Sequence, residues 1–157
     1  MSHEQAIILS ELTVRLFALC QEREANFVSR YGAKVSEFRC LHVLLENNHI
    51  PVKKLATLLH NTPSRLTRVV DSLISKGLVQ RSEPQSDRRI KIISLTPKGE
   101  KLTKIMKKDF DTMHTEILSE IKDDSHEKIV ASLERLIAAM ENWNEKHEFE
   151  NKSRGQK

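Results

Sequence analysis

Cysteine, glycine and aromatic residues are all scarce in this 157-residue chain, and each shortage excludes something. Two cysteines, Cys20 and Cys40, cannot build a disulfide framework, and their scarcity suits a reducing, cytosolic compartment. Aromatics at 4% and only four glycines argue against a stacked-base platform and against a glycine-rich nucleotide cradle. No run approaches the roughly 20 apolar residues of a membrane helix, so no membrane partner is expected. The opening MSHEQAIILSEL has neither a basic leader ahead of an apolar stretch nor a small-residue cleavage site, and export is not expected. Catalytic signatures are missing too. There is no GxSxG, no phosphate loop and no carboxylate pair in a glycine-rich setting, so neither an enzyme nor a cofactor is expected.

What the chain does have is charge, at 31% of its residues, beside 38% hydrophobic residues that suffice for one core. The net charge of +4 is unevenly spread. Between Pro51 and Lys101 stand eleven basic residues (Lys53, Lys54, Arg65, Arg68, Lys76, Arg81, Arg88, Arg89, Lys91, Lys98 and Lys101) against four acids, Asp71, Glu83, Asp87 and Glu100. That segment is +7 and the remainder −3. A basic middle between mildly acidic ends makes a polyanion the first partner to consider, with a solvated surface as the plain alternative.

Apolar periodicity organises the chain into helices around a short β-segment. Leu12, Leu16, Leu19 and Phe27, widened by Val14, Phe17 and Ala18, predict a helix over residues 10–27, closed at Gly32. A second opens at Ser36-Glu37, turns Phe38, Leu41, Val43, Leu44 and Leu45 inward, and breaks at Asn47-Asn48. Residues 51–59 predict a short third helix with proline at its start. After a turn at His60-Asn61, Thr62 reads as an N-cap and Pro63 as the first helical residue of a helix to Lys76, closed by Gly77. Then the period changes to two. Residues 78–81 and 90–95 predict strands joined by the polar loop EPQSDRR. Thr96-Pro97 caps a fifth helix that Asp123-Asp124-Ser125 breaks, and a sixth covers residues 129–143 before a polar tail that frays from about Asn144. The fold class is mainly α with a small β-wing: a winged helix-turn-helix lobe flanked by long N- and C-terminal helices.

A helix enters the DNA major groove when its exposed face is polar and its first turn can approach base edges. The helix from Pro63 offers Ser64, Arg65, Thr67 and Arg68 there, while Leu66, Val69 and Val70 hold it to the lobe. Arginine bridges guanine O6 and N7, and serine or threonine bonds a base or a phosphate. Lys53 and Lys54 on the preceding helix suit phosphate contacts that position without reading sequence. In the loop, Asp87 two residues before Arg89 can brace that guanidinium for the minor groove, with Arg88 on phosphate or minor groove.

The succession TPSRLTRVVDSLISKGLVQR, SDRR and IISLTPKGEKL closely resembles the MarR (multiple antibiotic resistance regulator) family of bacterial transcription factors. The resemblance covers residues 10–145 in architecture and is most specific over 52–102. It implies one MarR-like domain over residues 1–157, with a DNA-binding lobe at 34–100, dimerisation helices at 5–30 and 101–145, and a flexible tail at 146–157. It implies a homodimer with interlaced terminal helices, each lobe reading half of a pseudo-palindromic double-stranded site. Major-groove contact then falls to Ser64, Arg65, Thr67 and Arg68, and minor-groove contact to Arg89. The family further implies a repressor in the bacterial cytoplasm, nucleoid-associated when on DNA, and released by a small anionic or phenolic effector.

The apolar stripes of the terminal helices exceed what a small lobe can bury, which agrees with a dimer. On family analogy, Arg15, Arg39, His42 and Met113 are expected to line an effector pocket between dimer helices and lobe. A peroxide-sensing role does not carry over to Cys20, which lies too late in its helix and has only Tyr31 as a tyrosine in the chain; both cysteines read as buried, inert thiols. The seven histidines form no HExxH, no i, i+4 pair and no cluster with CxxC, so no metal is expected, although His42 and His114 can meet if the second and fifth helices approach. Two alternatives stay open: a winged-helix protein-interaction module, and a metal- or redox-responsive regulator.

Overall fold

The protein is described here by a computed structural model that covers residues 3–83, 90–122 and 125–154. In chain order it runs α1 (His3–Ser29), α2 (Val35–Glu46), β1 (Ile50–Pro51), α3 (Val52–Leu58), α4 (Pro63–Ser75), β2 (Val79–Ser82), β3 (Ile92–Leu95), α5 (Pro97–Ser119) and α6 (His126–Arg154). The chain packs as two units, Met1–Phe110 and Asp111–Lys157.

In the first unit, helix ends explain much of the chain's course. α1 begins well before Ser10 and closes on Gly32 at φ +61°, with the Ala33 N–H returning to the Val28 carbonyl at 3.2 Å. α4 ends the same way: Gly77 at φ +67° donates to Ile74 O at 2.8 Å, and Leu78 N reaches Leu73 O at 3.0 Å. This paired closure through a left-handed residue satisfies carbonyls that the helix itself leaves bare. α3 closes identically, with His60 N on Thr57 O at 3.1 Å and Asn61 N on Ala56 O at 3.0 Å. Here, however, the left-handed position is held by His60 at φ +48°, not by glycine.

The sheet is antiparallel in the order β1-β3-β2. β2 and β3 pair Val79 with Leu95 and Ser82 with Ile92, a hairpin that the alternation of residues 90–95 predicts, though β3 itself begins at Ile92. β1 is an addition to the predicted elements. Ile50 pairs with Ile93 and Pro51 with Ile92, and the Val52 N–H donates to Lys91 O at 3.0 Å. Pro51, at φ −60° and ψ 139°, is therefore extended and caps α3 instead of opening it. A two-residue strand has no alternation to betray it.

The core gathers Cys40, Leu41 and Leu44 of α2, Leu55 of α3, Leu66, Val70 and Leu73 of α4, and Ile93 of β3. α4 thus packs its apolar side on α2 and the sheet and leaves the opposite side to solvent. At the start of α5, Thr96 accepts the Gly99 N–H at 3.0 Å and donates to Gly77 O at 2.7 Å, so one hydroxyl caps α5 and secures the turn after α4.

In the second unit, α6 extends past the predicted residues 129–143 and past Asn144. Val130, Leu133, Ile137 and Met140, spaced three and four apart, stand 39–54% exposed along it. α5 ends at Ser119, and the predicted break at Asp123 and Asp124 lies outside the described residues.

Candidate nucleic-acid interface

The first turn of α4 is built by Thr62-Pro63. Thr62 is extended at φ −68° and ψ 149°, its hydroxyl oxygen accepts the Arg65 N–H at 3.4 Å, and Pro63 supplies the preset first helical residue. Ser64, Arg65, Thr67 and Arg68 are exposed, whereas Leu66, Val69 and Val70 between them are buried. Thr67 donates its hydroxyl proton to Pro63 O at 2.9 Å, which orients its oxygen as an acceptor on the outer face. One face of a single helical turn therefore carries two guanidiniums and two hydroxyls beside a positive helix end. Lys53 and Lys54 are exposed on α3, the helix before the turn.

The cations of the basic segment separate into two groups. Lys76 pairs with Glu37 at 2.7 Å, Arg81 with Asp71 at 2.9 Å, and Lys91 with Glu83, while Lys98 donates to the Lys76 carbonyl at 2.9 Å. Lys53, Lys54, Arg65 and Arg68 make no ion pair with any described residue. Intramolecular pairing therefore neutralises the base of the wing and the end of α4, and leaves positive charge on α3, on the first turns of α4 and, through Lys98 and the exposed Lys101, at the start of α5. Asp87, Arg88 and Arg89, expected to brace and enter the minor groove, lie outside the described residues.

A second feature of this unit is an open cleft of about 340 Å³ lined by Glu24, Phe38, Arg39, His42, Val43, Leu58, Leu59, His60 and Phe110. Its aromatic lining residues, Phe38 and Phe110, meet each other and the buried Phe27 behind them at centroid distances of 5.1 to 5.5 Å. Two of the expected effector residues, Arg39 and His42, are on its wall. Arg39 is not a free cation, because its Nε donates to Glu24 Oε1 at 2.9 Å and its NH2 to Glu24 Oε2. That hydrogen bonding holds the guanidinium above its already high ordinary value. His42 lies 6.1 Å from the Phe38 ring, with Nδ1 4.0 Å from Glu46 Oε1. Arg15 is exposed on α1 and does not line the cleft, and Met113 belongs to the second unit. A further cleft of about 500 Å³, between the start of α2 and the α3–α4 turn, shares Arg39 and His60 and reaches Arg65.

Cys40 is fully buried, and burial pushes its thiol up to about 12, so it is not a nucleophile at neutral pH. Cys20 is only half-buried, short of the expected full burial. Among the described residues no group of three or more histidine, cysteine, aspartate or glutamate side chains is placed to hold a metal ion.

Sequence reasoning passed over the residues that hold α4 in place. Ser72 and the half-buried Lys76 converge on the buried Glu37, and Asp71 with Arg81 ties α4 to the wing. The i, i+4 spacing of Ser72 and Lys76 is the available signal, since it puts both on one helix face. Their common partner, Glu37, comes from a distant part of the chain and has no local mark.

Residues 34–91 match the model of the MarR family. The HTH-type transcriptional regulator PapX of Escherichia coli is 27% identical over 133 residues, spanning 83% of this chain and 81% of that protein. The transcriptional repressor MprA of Escherichia coli K12 is 28% identical over 142 residues, spanning 87% and 81%. Among solved structures, a MarR transcriptional regulator from Methanosarcina mazei Go1 superposes with a TM-score of 0.73 at 24% identity, over 86% of this chain and 97% of that one. A Staphylococcus aureus MepR–DNA complex gives a TM-score of 0.70 at 20% identity, over 84% and 97%. At those identities the structural likeness is one of fold.

Proposed function

We propose that the chain, whose residues 34–91 match the MarR family model, is a sequence-specific, duplex-DNA-binding transcription regulator that acts as a homodimeric repressor. One observation carries the reading: Lys53, Lys54, Arg65 and Arg68 stand exposed and without an ion pair to any described residue on α3 and the first turns of α4. In this reading α4 enters the major groove. Arg65 and Arg68 take guanine O6 and N7, and Ser64 and Thr67 bond a base or a phosphate. Lys53 and Lys54 hold phosphates and supply affinity without sequence preference. The reading assigns minor-groove contact to Arg89, phosphate or minor-groove contact to Arg88, and the bracing of Arg89 to Asp87, all three outside the described residues. The site of action is the bacterial cytoplasm, on the nucleoid.

The homodimer is supported by α1, whose Leu12, Leu16, Phe17 and Leu19 are 47–62% exposed and form an apolar face of the kind that a second copy covers. A two-fold pair of lobes places two reading helices about 34 Å apart, one turn of DNA, and so calls for a pseudo-palindromic site. The cleft around Phe38 and Phe110 supports a small aromatic anion as effector, its carboxylate competing with Glu24 for Arg39 beside His42. Arg15 and Met113 have no such support from the cleft's lining.

In vitro selection from a random duplex library tests the reading. The expected product is one enriched motif with two half-sites related by two-fold symmetry. Failure to enrich any sequence, with purified folded protein at low salt, removes the proposal.

A further inference from the structure

Among the described residues Glu37 is the one charged side chain that is fully buried, at 1% exposure. Its carboxylate is saturated from three directions. Oε1 accepts from Ser72 Oγ at 2.7 Å, and Oε2 accepts from Lys76 Nζ at 2.7 Å and from the Lys34 backbone N–H at 2.8 Å. Lys76 Nζ also donates to the Gly32 carbonyl at 3.3 Å. Burial alone would push this carboxyl up. The hydrogen bonds from Lys76, Ser72 and Lys34, with the lysine's charge, outweigh it and hold Glu37 below the usual carboxylate range, so the group is ionised in the folded protein.

The two ends of α4 thus have different duties. Its first turns carry Ser64, Arg65, Thr67 and Arg68 outward, while its last turn is gripped by the first turn of α2 and by the turn after α1. Cohesion does not require this grip. Leu66, Val69, Val70 and Leu73 already bury the apolar side, and an ion pair whose carboxylate is buried returns much of its attraction as lost hydration. Apolar contact is non-directional, however, and leaves rotation of a helix about its own axis weakly defined. Hydrogen bonds donated to one fixed carboxylate by Ser72 of α4 and by Lys76, which caps the helix four residues on, set that rotation. They fix where the guanidiniums of Arg65 and Arg68 point.

We propose that Glu37, Ser72 and Lys76 are positioning residues for DNA discrimination, which set the rotation of α4 so that Arg65 and Arg68 register with base edges that the cluster itself never touches. This inference rests on the DNA-reading function proposed above. Discrimination depends on bidentate geometry, whereas phosphate contacts from flexible lysines tolerate small displacements. Disturbing the cluster therefore lowers the preference for the selected sequence and spares binding to random duplex.

The test uses the full chain and two substitutions that remove no cation, Glu37→Gln and Ser72→Ala. Each is titrated with the selected duplex and with random duplex over a salt series, at a temperature where circular dichroism shows full folding. Both variants are expected to lose about tenfold in the ratio of selected to random affinity, a change of the size that one mismatched base pair causes. Random-duplex affinity and the salt slope stay within about twofold of the parent, because no phosphate-contacting charge has changed. Adding Lys76→Gln to Glu37→Gln puts two amides face to face and is expected to recover part of the ratio. If Glu37→Gln does not fold, Ser72→Ala decides alone. Folded variants with the parental ratio and only a lower melting temperature overturn the inference. Arg68→Ala runs in parallel: loss of preference there but not in the cluster variants sinks the inference and leaves the function standing. A parent protein without any preference sinks both.

Discussion

Gly99 shows how little room a single position can have. A Cβ built there lies 1.9 Å from the Leu78 carbonyl oxygen, so the backbone of α5 sits directly against the turn after α4. The contact is backbone on backbone, with no flexible side chain to move aside. Gly99→Ala is expected to cost about 1–3 kcal/mol, the usual range for overpacking a tight site. A urea unfolding curve checks it, and an unchanged midpoint would refute the close approach. Thr96, three residues earlier, makes the same junction from the side-chain end, capping α5 and donating to Gly77 O at 2.7 Å. In the sequence, the stretch LTPKG marks a helix start but gives no hint of what lies behind its glycine. Arg39 teaches the reverse lesson. Its charge made it a candidate for an anionic effector, yet Glu24, fifteen residues away on α1, already occupies its Nε and NH2. Such a partner is invisible to periodicity.

Among the elements, those with a long repeating pattern were legible and those fixed by pairing were not. Helix α4 was legible from Thr62-Pro63 at its start to Gly77 at its end, because caps and an apolar face are local properties. β1 escaped, since Ile50–Pro51 is a strand only by virtue of β3 lying beside it. The turn between α3 and α4 was recognised from its polar residues, but its strain was not. His60 occupies at φ +48° the position that glycine holds after α1 and α4. A non-glycine residue in that conformation costs roughly 1–2 kcal/mol, of which glycine's extra unfolded-state freedom takes back about 0.5–1 kcal/mol. His60→Gly is accordingly expected to raise stability by about 0.5–1 kcal/mol, read from the shift in urea midpoint. A lower midpoint would contradict the account of this turn.

For the whole molecule the useful quantity is not the net charge of +4 but where charge remains after pairing. Position along the chain assigned +7 to residues 51–101. Geometry then pairs Lys76, Arg81 and Lys91 with carboxylates and leaves Lys53, Lys54, Arg65 and Arg68, with Lys98 and Lys101 of α5, outside the described ion pairs. The sequence thus identified the candidate DNA-binding residues of α3 and α4 by type and spacing. It did not separate cations that hold the lobe together from cations free to meet a phosphate, because that division depends on contacts between distant residues. The central claim is that Lys53, Lys54, Arg65 and Arg68 grip DNA and that the two arginines read it. Its most direct test is a fluorescence-anisotropy titration of the selected duplex and a random duplex across a salt series. The parent is compared with Arg68→Ala and with the pair Lys53→Ala and Lys54→Ala. The account predicts that Arg68→Ala loses about 1–3 kcal/mol on the selected duplex and much less on the random one. The lysine pair weakens both duplexes alike and flattens the salt slope by about 2. Parental affinity and slope in every variant would contradict it.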